Sequence, residues 1–469
     1  MHIKKKQFFA CMMIFIEIFT YCILVSTLKD MNSLCTISSI FIVLSGGIMF
    51  FSFGKITGAF VYYLCLLIMH CGQIFMLALK LPFPQSLKSS ITLGQNGLNE
   101  FAAIKFTVIA SMLVVFVFCL LIKEQDNRFG INESKNYTLR NVKLSFLGKV
   151  VVAVIILMSI ASDFTRAYAV SIVGYLNGYK QTNTILYYAD MLLPLFIFLL
   201  IIMYRNDLKT IKLVYIFILV KSAFSAFFIG VRSIAVLSIV MYTFAILIMT
   251  DNTMIKRLIK KLALSIAIIG VIALPLSGVM RGTKVDGISD FLRNYNPISY
   301  SLTEFGGSIN NVRLSVSYFA DKDFGVGTFF SSFLSILPVS TFLFPSIVGG
   351  YGNAYANYIN NRVGVYEGAG GAGGSLIGEA VFWFGDGIGG YIYLVIITVC
   401  VTICFNKLTK VNKTSSNVAN VGYLFLLYEL FYQIRGTIYA VQTGVKLSIY
   451  FYIIFILFSR YFFKYEDKN

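Results

Sequence analysis

The acids that could take a proton cluster in one part of the chain. Asp286, Asp290, Glu304, Asp321, Asp323, Glu367, Glu379 and Asp386 all fall between Arg281 and Ile388. Transfer of a sugar onto a hydroxyl needs a carboxylate that can activate that hydroxyl. Glu379 is the first candidate. It follows a glycine run and precedes the apolar stretch Ala380 to Phe384, where burial would raise its pKa. A second role is open to an acid at a helix start, as an ordinary cap in the field of the helix dipole. Asp321-Lys322-Asp323 has the form of the metal-binding pair of nucleotide-sugar transferases, but the pattern is short and common. No metal or other cofactor is expected.

The same segment carries Arg281, Arg293, Arg313 and Arg362. A guanidinium stays charged and grips phosphate with two parallel hydrogen bonds. Six basic residues stand against eight acids here, so the segment is no bulk basic patch, and each arginine has to be judged by its own position. Arg281-Gly282-Thr283 and Arg435-Gly436-Thr437 repeat one tripeptide where apolar runs end, which makes Arg281 and Arg435 candidates for one anionic head group. Arg232 opens an apolar run directly after Gly230-Val231. For each arginine the competing role is a surface ion pair or an interfacial anchor.

The glycine run from Gly368 to Gly374 (GAGGAGG) lets backbone turn sharply and approach a ligand closely, or acts as a hinge. It is no phosphate loop, since no Gly-Lys-Ser/Thr follows. Trp383, Tyr351, Tyr355, Tyr358 and Tyr366 are placed to stack on sugar rings or to line a membrane interface.

The elements that must position these residues are apolar. Of 469 residues, 58% are hydrophobic and 13% charged, and the mean hydropathy is +0.79. The runs are continuous, which selects membrane helices over an alternating barrel. Twelve spans are predicted, near 8–27, 34–53, 56–79, 103–122, 147–162, 187–204, 213–229, 232–250, 263–280, 389–405, 418–434 and 447–463. With both termini cytoplasmic, the short inner loops hold most of the basic residues, as the positive-inside rule requires. That asymmetry, not nucleic acid, accounts for a net charge of +18. The expectation is an all-α integral membrane protein, one polytopic domain over 1–469, with residues 281–388 as a large extracytoplasmic loop. Two further outer segments run from Lys80 to Ala102 and from Asp163 to Tyr187. Phe329 to Val348 carries Pro338 and Pro345, so it should dip into the membrane edge or pack on the spans. All eight cysteines lie in or beside apolar runs, and no disulfide framework is expected.

Ionisable groups inside spans cost several kcal/mol by the usual scales, about 2.5–3.5 at a helix centre, and so mark candidate sites. Glu17, His70, Lys221 and Arg232 qualify. For Glu17 and His70 a helix-packing hydrogen bond is the favoured role.

The arrangement resembles the O-antigen and capsule repeat-unit polymerases of bacteria. The resemblance rests on about twelve spans, a large outer loop two-thirds along, Gly230-Val231-Arg232 at the outer start of a span, and the stretch Gly373 to Gly385 (GGSLIGEAVFWFG) leading into the next span. It implies a fold of the membrane glycosyltransferase (GT-C-like) type. It also implies transfer of an undecaprenyl-diphosphate-linked glycan onto another lipid-linked repeat unit in the cytoplasmic (inner) membrane. By that likeness Arg232, Arg281, Arg313 and Arg362 are expected to contact diphosphate or glycan, and Glu379 takes the catalytic place by position. Membrane lipids, a chain-length regulator and a flippase are the implied partners. The related ligases are expected to use a histidine in the outer loop, and this chain has only His2 and His70.

Two other classes compete. A lipid-linked oligosaccharide flippase would show related halves, and no internal repeat is visible. A membrane acyltransferase would want a catalytic histidine in reach, and His70 alone is available.

Overall fold

The computed structural model describes residues 5–82, 99–122, 142–173, 183–282, 296–319, 326–337, 355, 374–414 and 417–465. The described residues are overwhelmingly helical. The first half of the chain gives α1 (Lys5–Ser26), α2 (Met31–Phe53), α3 (Gly58–Ala78), α4 (Glu100–Leu121), α5 (Phe146–Val173), α6 (Thr184–Met203) and α7 (Leu208–Phe224). A π-helical turn, Ser225–Ile229, continues α7 before α8 (Arg232–Met249) and α9 (Thr253–Gly282). Short helices follow: α10 (Pro297–Phe305), α11 (Ser308–Tyr318), α12 (Val326–Ser332) with a 3₁₀ turn at Phe333–Ile336, and α13 (Leu376–Phe384). The chain closes with α14 (Ile388–Thr414), α15 (Asn417–Gln433) and α16 (Ile438–Phe462). Among the described residues nine helices are long and apolar enough to cross a membrane: α1 to α6, α7 with its π turn, α8 and α14.

Local signals bound the helices. Asp30 caps α2 through the Ser33 N–H, and Gly54 closes it at φ 63°. Thr57 caps α3 through the Phe60 N–H. Asp207 caps α7 through the Lys209 N–H.

The described residues form two compact units. The first comprises 1–124, 271–406 and 430–442. Within it α1 to α4 pack on one another, and α10 and α11 lie against α3 and α4. The seat of α10 depends on two facing glycines. A Cβ on Gly72 would stand 2.3 Å from the Leu302 carbonyl oxygen, and one on Gly306 would stand 2.6 Å from the Gln73 nitrogen. Only glycine permits that approach. Buried polar groups join the helices: Tyr63 donates to the Ile42 carbonyl at 2.9 Å, and Ser45 donates to Glu17 at 3.0 Å.

The second unit comprises 125–270, 407–429 and 443–469. Here α5 packs along α6, and α7 along α8. Its centre is aromatic, with Phe198, Tyr242 and Tyr428 in mutual ring contact. A short antiparallel pair, β1 (Val142–Leu144) with β2 (Phe463–Tyr465), ties the start of α5 to the end of α16.

One expectation changes, and two gain detail. The outer segment expected from Asp163 to Tyr187 is largely helix, because α5 runs on to Val173 and α6 begins at Thr184. The helix can carry Asp163 and Arg166 because opposite charges on α6 and α7 meet them. The segment 281–388 is not a plain loop, since α10 to α13 lie within it. The apolar stretch from Phe329 packs on a span: the Phe329 ring meets Trp383, Phe384 and Tyr393, the last of these on α14.

Candidate functional site

Ser375 organises one end of α13. Its hydroxyl accepts from the Gly378 N–H at 2.9 Å and lies 2.9 Å from His70 Nε2. His70 Nδ1 faces the Leu66 carbonyl at 3.2 Å. A carbonyl only accepts, so Nδ1 carries the proton in the neutral ring and Ser375 donates to Nε2. Both side chains are fully buried, so this pair fastens α13 to α3.

One turn on, Glu379 sits in a nest of neutral donors. Its Oε2 accepts from the Ile438 N–H at 2.8 Å, from the Tyr393 hydroxyl at 3.2 Å and from Gln433 Nε2 at 3.5 Å. Its Oε1 accepts from Trp383 Nε1 at 3.4 Å. Ile438 opens α16, so the carboxylate caps a helix other than its own, where the dipole favours negative charge. Burial pushes the Glu379 carboxyl up to about 7, against the smaller opposing effect of its four donors. A carboxyl so tuned can hold or release a proton near neutral pH.

The glycine run ends by docking on the Arg435-Gly436-Thr437 turn. The Gly374 N–H donates to the Arg435 carbonyl at 3.1 Å, and the Leu376 N–H to the Ile434 carbonyl at 3.3 Å. A Cβ on Gly374 would stand 2.1 Å from the Gly436 carbonyl oxygen, so glycine is required there. The half-buried Arg435 side chain donates to the Glu304 and Phe305 carbonyls, each at 3.2 Å, at the C-terminus of α10. Orphan carbonyls at a helix end attract a cation in this way. Arg313 on α11 is 1% exposed and pairs with Glu100 at 2.9 Å, while Asn311 of the same helix donates to the Gly374 carbonyl at 3.1 Å. One assembly in the first unit thus gathers Glu379, Arg435 and Arg313.

The second unit holds a different arrangement. Asp163 and Arg166 on α5, Asp190 on α6 and Lys221 on α7 form one ion-pair network, and Ser159 joins it. Lys221 bonds Asp163 Oδ2 directly and reaches Asp190 Oδ1 at 3.0 Å. Arg166 meets Asp190 Oδ2 at 2.9 Å, and Ser159 donates to Asp190 Oδ1 at 2.6 Å.

These two arrangements belong to a chain that matches the family model described as O-antigen polysaccharide polymerase Wzy over residues 7–466. The chain belongs to the O-antigen polysaccharide polymerase Wzy family. No curated protein and no solved structure matches it. As a Wzy polymerase it is a multi-pass membrane protein of glycosyltransferase type that acts on lipid-linked oligosaccharide repeat units in O-antigen polymerisation.

The residues singled out in the Wzy sequence are thus spread over the fold. Glu379, Arg313 and Arg435 share the α11–α13 assembly. Arg232 is the first residue of α8 in the second unit. Arg281 lies in the last turn of α9. Arg362, Arg293, Asp286, Asp290, Asp321, Asp323 and Glu367 lie outside the described residues, as do Tyr351, Tyr358 and Tyr366. Tyr355 is buried against Phe382.

Sequence reasoning missed Asp163, Arg166 and Asp190. The signal was available: Asp163 and Arg166 are three residues apart, the spacing that puts two side chains on one helix face. Ending a span at its first charge hides it.

Proposed function

We propose that this chain joins lipid-diphosphate-linked oligosaccharide repeat units into surface polysaccharide, O-antigen or capsule, at the outer face of the bacterial cytoplasmic membrane. The family match along residues 7–466 carries this reading. In it, twelve spans place both termini in the cytoplasm and residues 281–388 outside. The fold is of the membrane glycosyltransferase type. The donor is an undecaprenyl-diphosphate-linked chain, the acceptor is a new lipid-linked repeat unit, and the diphosphate is the leaving group.

Arg232, Arg281, Arg313, Arg362 and Arg435 contact diphosphate or glycan in this scheme. Guanidinium groups neutralise the leaving diphosphate as it departs, and no metal is needed. Arg435 supports the assignment best. Its guanidinium rests on two backbone carbonyls in the assembly that also holds Glu379. Arg313 is also paired with Glu100 in this unit. Glu379 is the proposed acid–base group of the first unit, on the strength of a carboxyl raised to about 7.

The test is the length of surface glycan in cells carrying Arg435→Ala or Arg281→Ala. Loss of long chains, with single repeat units still reaching the surface, is the expected outcome. Full-length polymer from both variants would remove the arginine contacts from the scheme. Loss of single units as well would point to transport in place of polymerisation.

A further inference from the structure

One end of the second unit gathers exposed positive charge. Arg205, Lys209 and Lys212 stand around the start of α7, and Lys256, Arg257, Lys260 and Lys261 stand in the first turns of α9. Only Asp207 and Asp251 lie among them, so seven cations face two acids. Asp207 is spent on its own helix start, where it accepts from the Lys209 N–H at 3.1 Å and from the Thr210 hydroxyl. Asn206 ties the two loops together, because its Oδ1 accepts from the Asp251 N–H at 3.2 Å.

α9 turns four of these cations to one side. At 3.6 residues per turn, positions 256, 257, 260 and 261 fall within an arc of about 140°. Ile255 and Ile259 fall on the opposite side and are fully buried, which fixes the cationic arc outward. Arg257, Lys260 and Lys261 are exposed, and Lys256 is half-buried. Among the described residues none of the four forms an ion pair. The placement is unfavourable in isolation. Like charges four residues apart repel, as Lys256 does Lys260 and Arg257 does Lys261. The helix dipole favours acids near an N-terminus, and α9 has no acid in its first turn.

The same arc continues as an apolar surface. Leu264 and Ile268 fall within it, one and two turns beyond the last cation, and both are exposed. From Lys256 to Leu264 the face changes from cationic to apolar over about 12 Å. That profile matches a phospholipid, whose anionic head group sits above acyl chains. A soluble acidic protein would complement the cations and leave the apolar half uncovered.

We propose that the first turns of α9 form a binding face for an anionic phospholipid. Lys256, Arg257, Lys260 and Lys261 hold the phosphate, and the acyl chains lie along Leu264 and Ile268. Arg205, Lys209 and Lys212 add to the positive field at the same end, as basic clusters beside a membrane span do for anionic lipid. The bound lipid offsets the repulsion within the arc and so stabilises the folded protein. This binding is independent of the reaction that the protein catalyses.

The experiment follows thermal melting of the full-length protein in neutral detergent at low salt, with phosphatidylglycerol or phosphatidylcholine added in equal amount. Phosphatidylglycerol should raise the melting temperature by about 2–4 °C over phosphatidylcholine. High salt should remove most of that rise by screening exposed charge. A wild type that melts alike with both lipids overturns the proposal. Two variants lose the same charge at different places. Lys260→Gln/Lys261→Gln should lose most of the rise, and Lys5→Gln/Lys6→Gln, at the start of α1, should keep it. Equal losses would mean that net charge alone attracts the lipid, and the α9 face would be wrong. Lys256→Gln/Arg257→Gln takes the place of the first variant if that one does not fold. Poly-glutamate in place of lipid tests the other occupant. A rise as large as that from phosphatidylglycerol would assign the face to an acidic protein and overturn the lipid.

Discussion

Glu379 in the first unit and Asp190 in the second are both carboxylates held inside helical packing, and they are held by opposite means. Glu379 has an indole, a phenol, an amide and a backbone N–H around it, all neutral. Asp190 has a lysine, an arginine and a serine. Neutral donors supply hydrogen bonds without cancelling the charge, so burial still raises the Glu379 carboxyl to about 7. The ion-pair network cancels charge within itself, two on two. The first arrangement depends on pH, and the second depends on every member being present.

The largest effect should come from breaking the network. Lys221→Met leaves Asp163 and Asp190 together without their shared cation. It should cost about 3–5 kcal/mol of stability. Thermal melting in detergent would measure it, and a loss no larger than for Glu379→Gln would erase the distinction drawn here. The next effect belongs to Glu379 and pH. Its ordinary carboxyl value is 4.5 and its folded value about 7. Between these the unfolded chain releases its proton first and the folded chain keeps it. The contribution is therefore complete below 4.5 and lost as pH rises to 7, by about 3 kcal/mol. Melting across that window should fall for wild type and stay flat for Glu379→Gln.

A smaller effect tests the packing that builds the Glu379 nest. Gly374→Ala drives a methyl into the Gly436 backbone, and either strand must shift. A loss of about 1–3 kcal/mol is expected from such overpacking, read as a lower melting point. Should the variant melt with wild type, the docking of the glycine run on the arginine turn is not what holds the nest. The smallest stability effect is Arg435→Ala, under about 1 kcal/mol for a half-buried cation at a helix end, while surface-glycan length falls. A stability loss as large as that of Lys221→Met would make Arg435 a structural residue.

Some of this was legible in the chain. Long continuous apolar runs have one stable form in lipid, so helices cover the apolar runs, although α5, α9 and α16 extend well beyond them. Arg232 begins α8 as expected after Gly230, which takes φ 100° to end the π turn. Glu379 follows an N-capping serine at the start of a short helix. The sequence allows both a cap role and a raised carboxyl at Glu379, and both occur, but the capped helix is α16, remote in sequence. His70 and Glu17 make packing hydrogen bonds to Ser375 and Ser45.

Hydropathy and local spacing act over one helix turn, so the sequence alone determined the helical membrane class and the types of side chain available for anion and proton chemistry. Which charges neutralise one another is a matter of approach in space. Lys221 meets Asp163 across 58 positions of sequence, and Arg313 meets Glu100 across 213. Only the tertiary structure could decide that Asp163 belongs to a helix, that Arg313 meets Glu100, and that Glu379 rests on the first backbone N–H of α16. Coulomb attraction and desolvation depend on distance through the packed protein, and a linear sequence does not contain that distance.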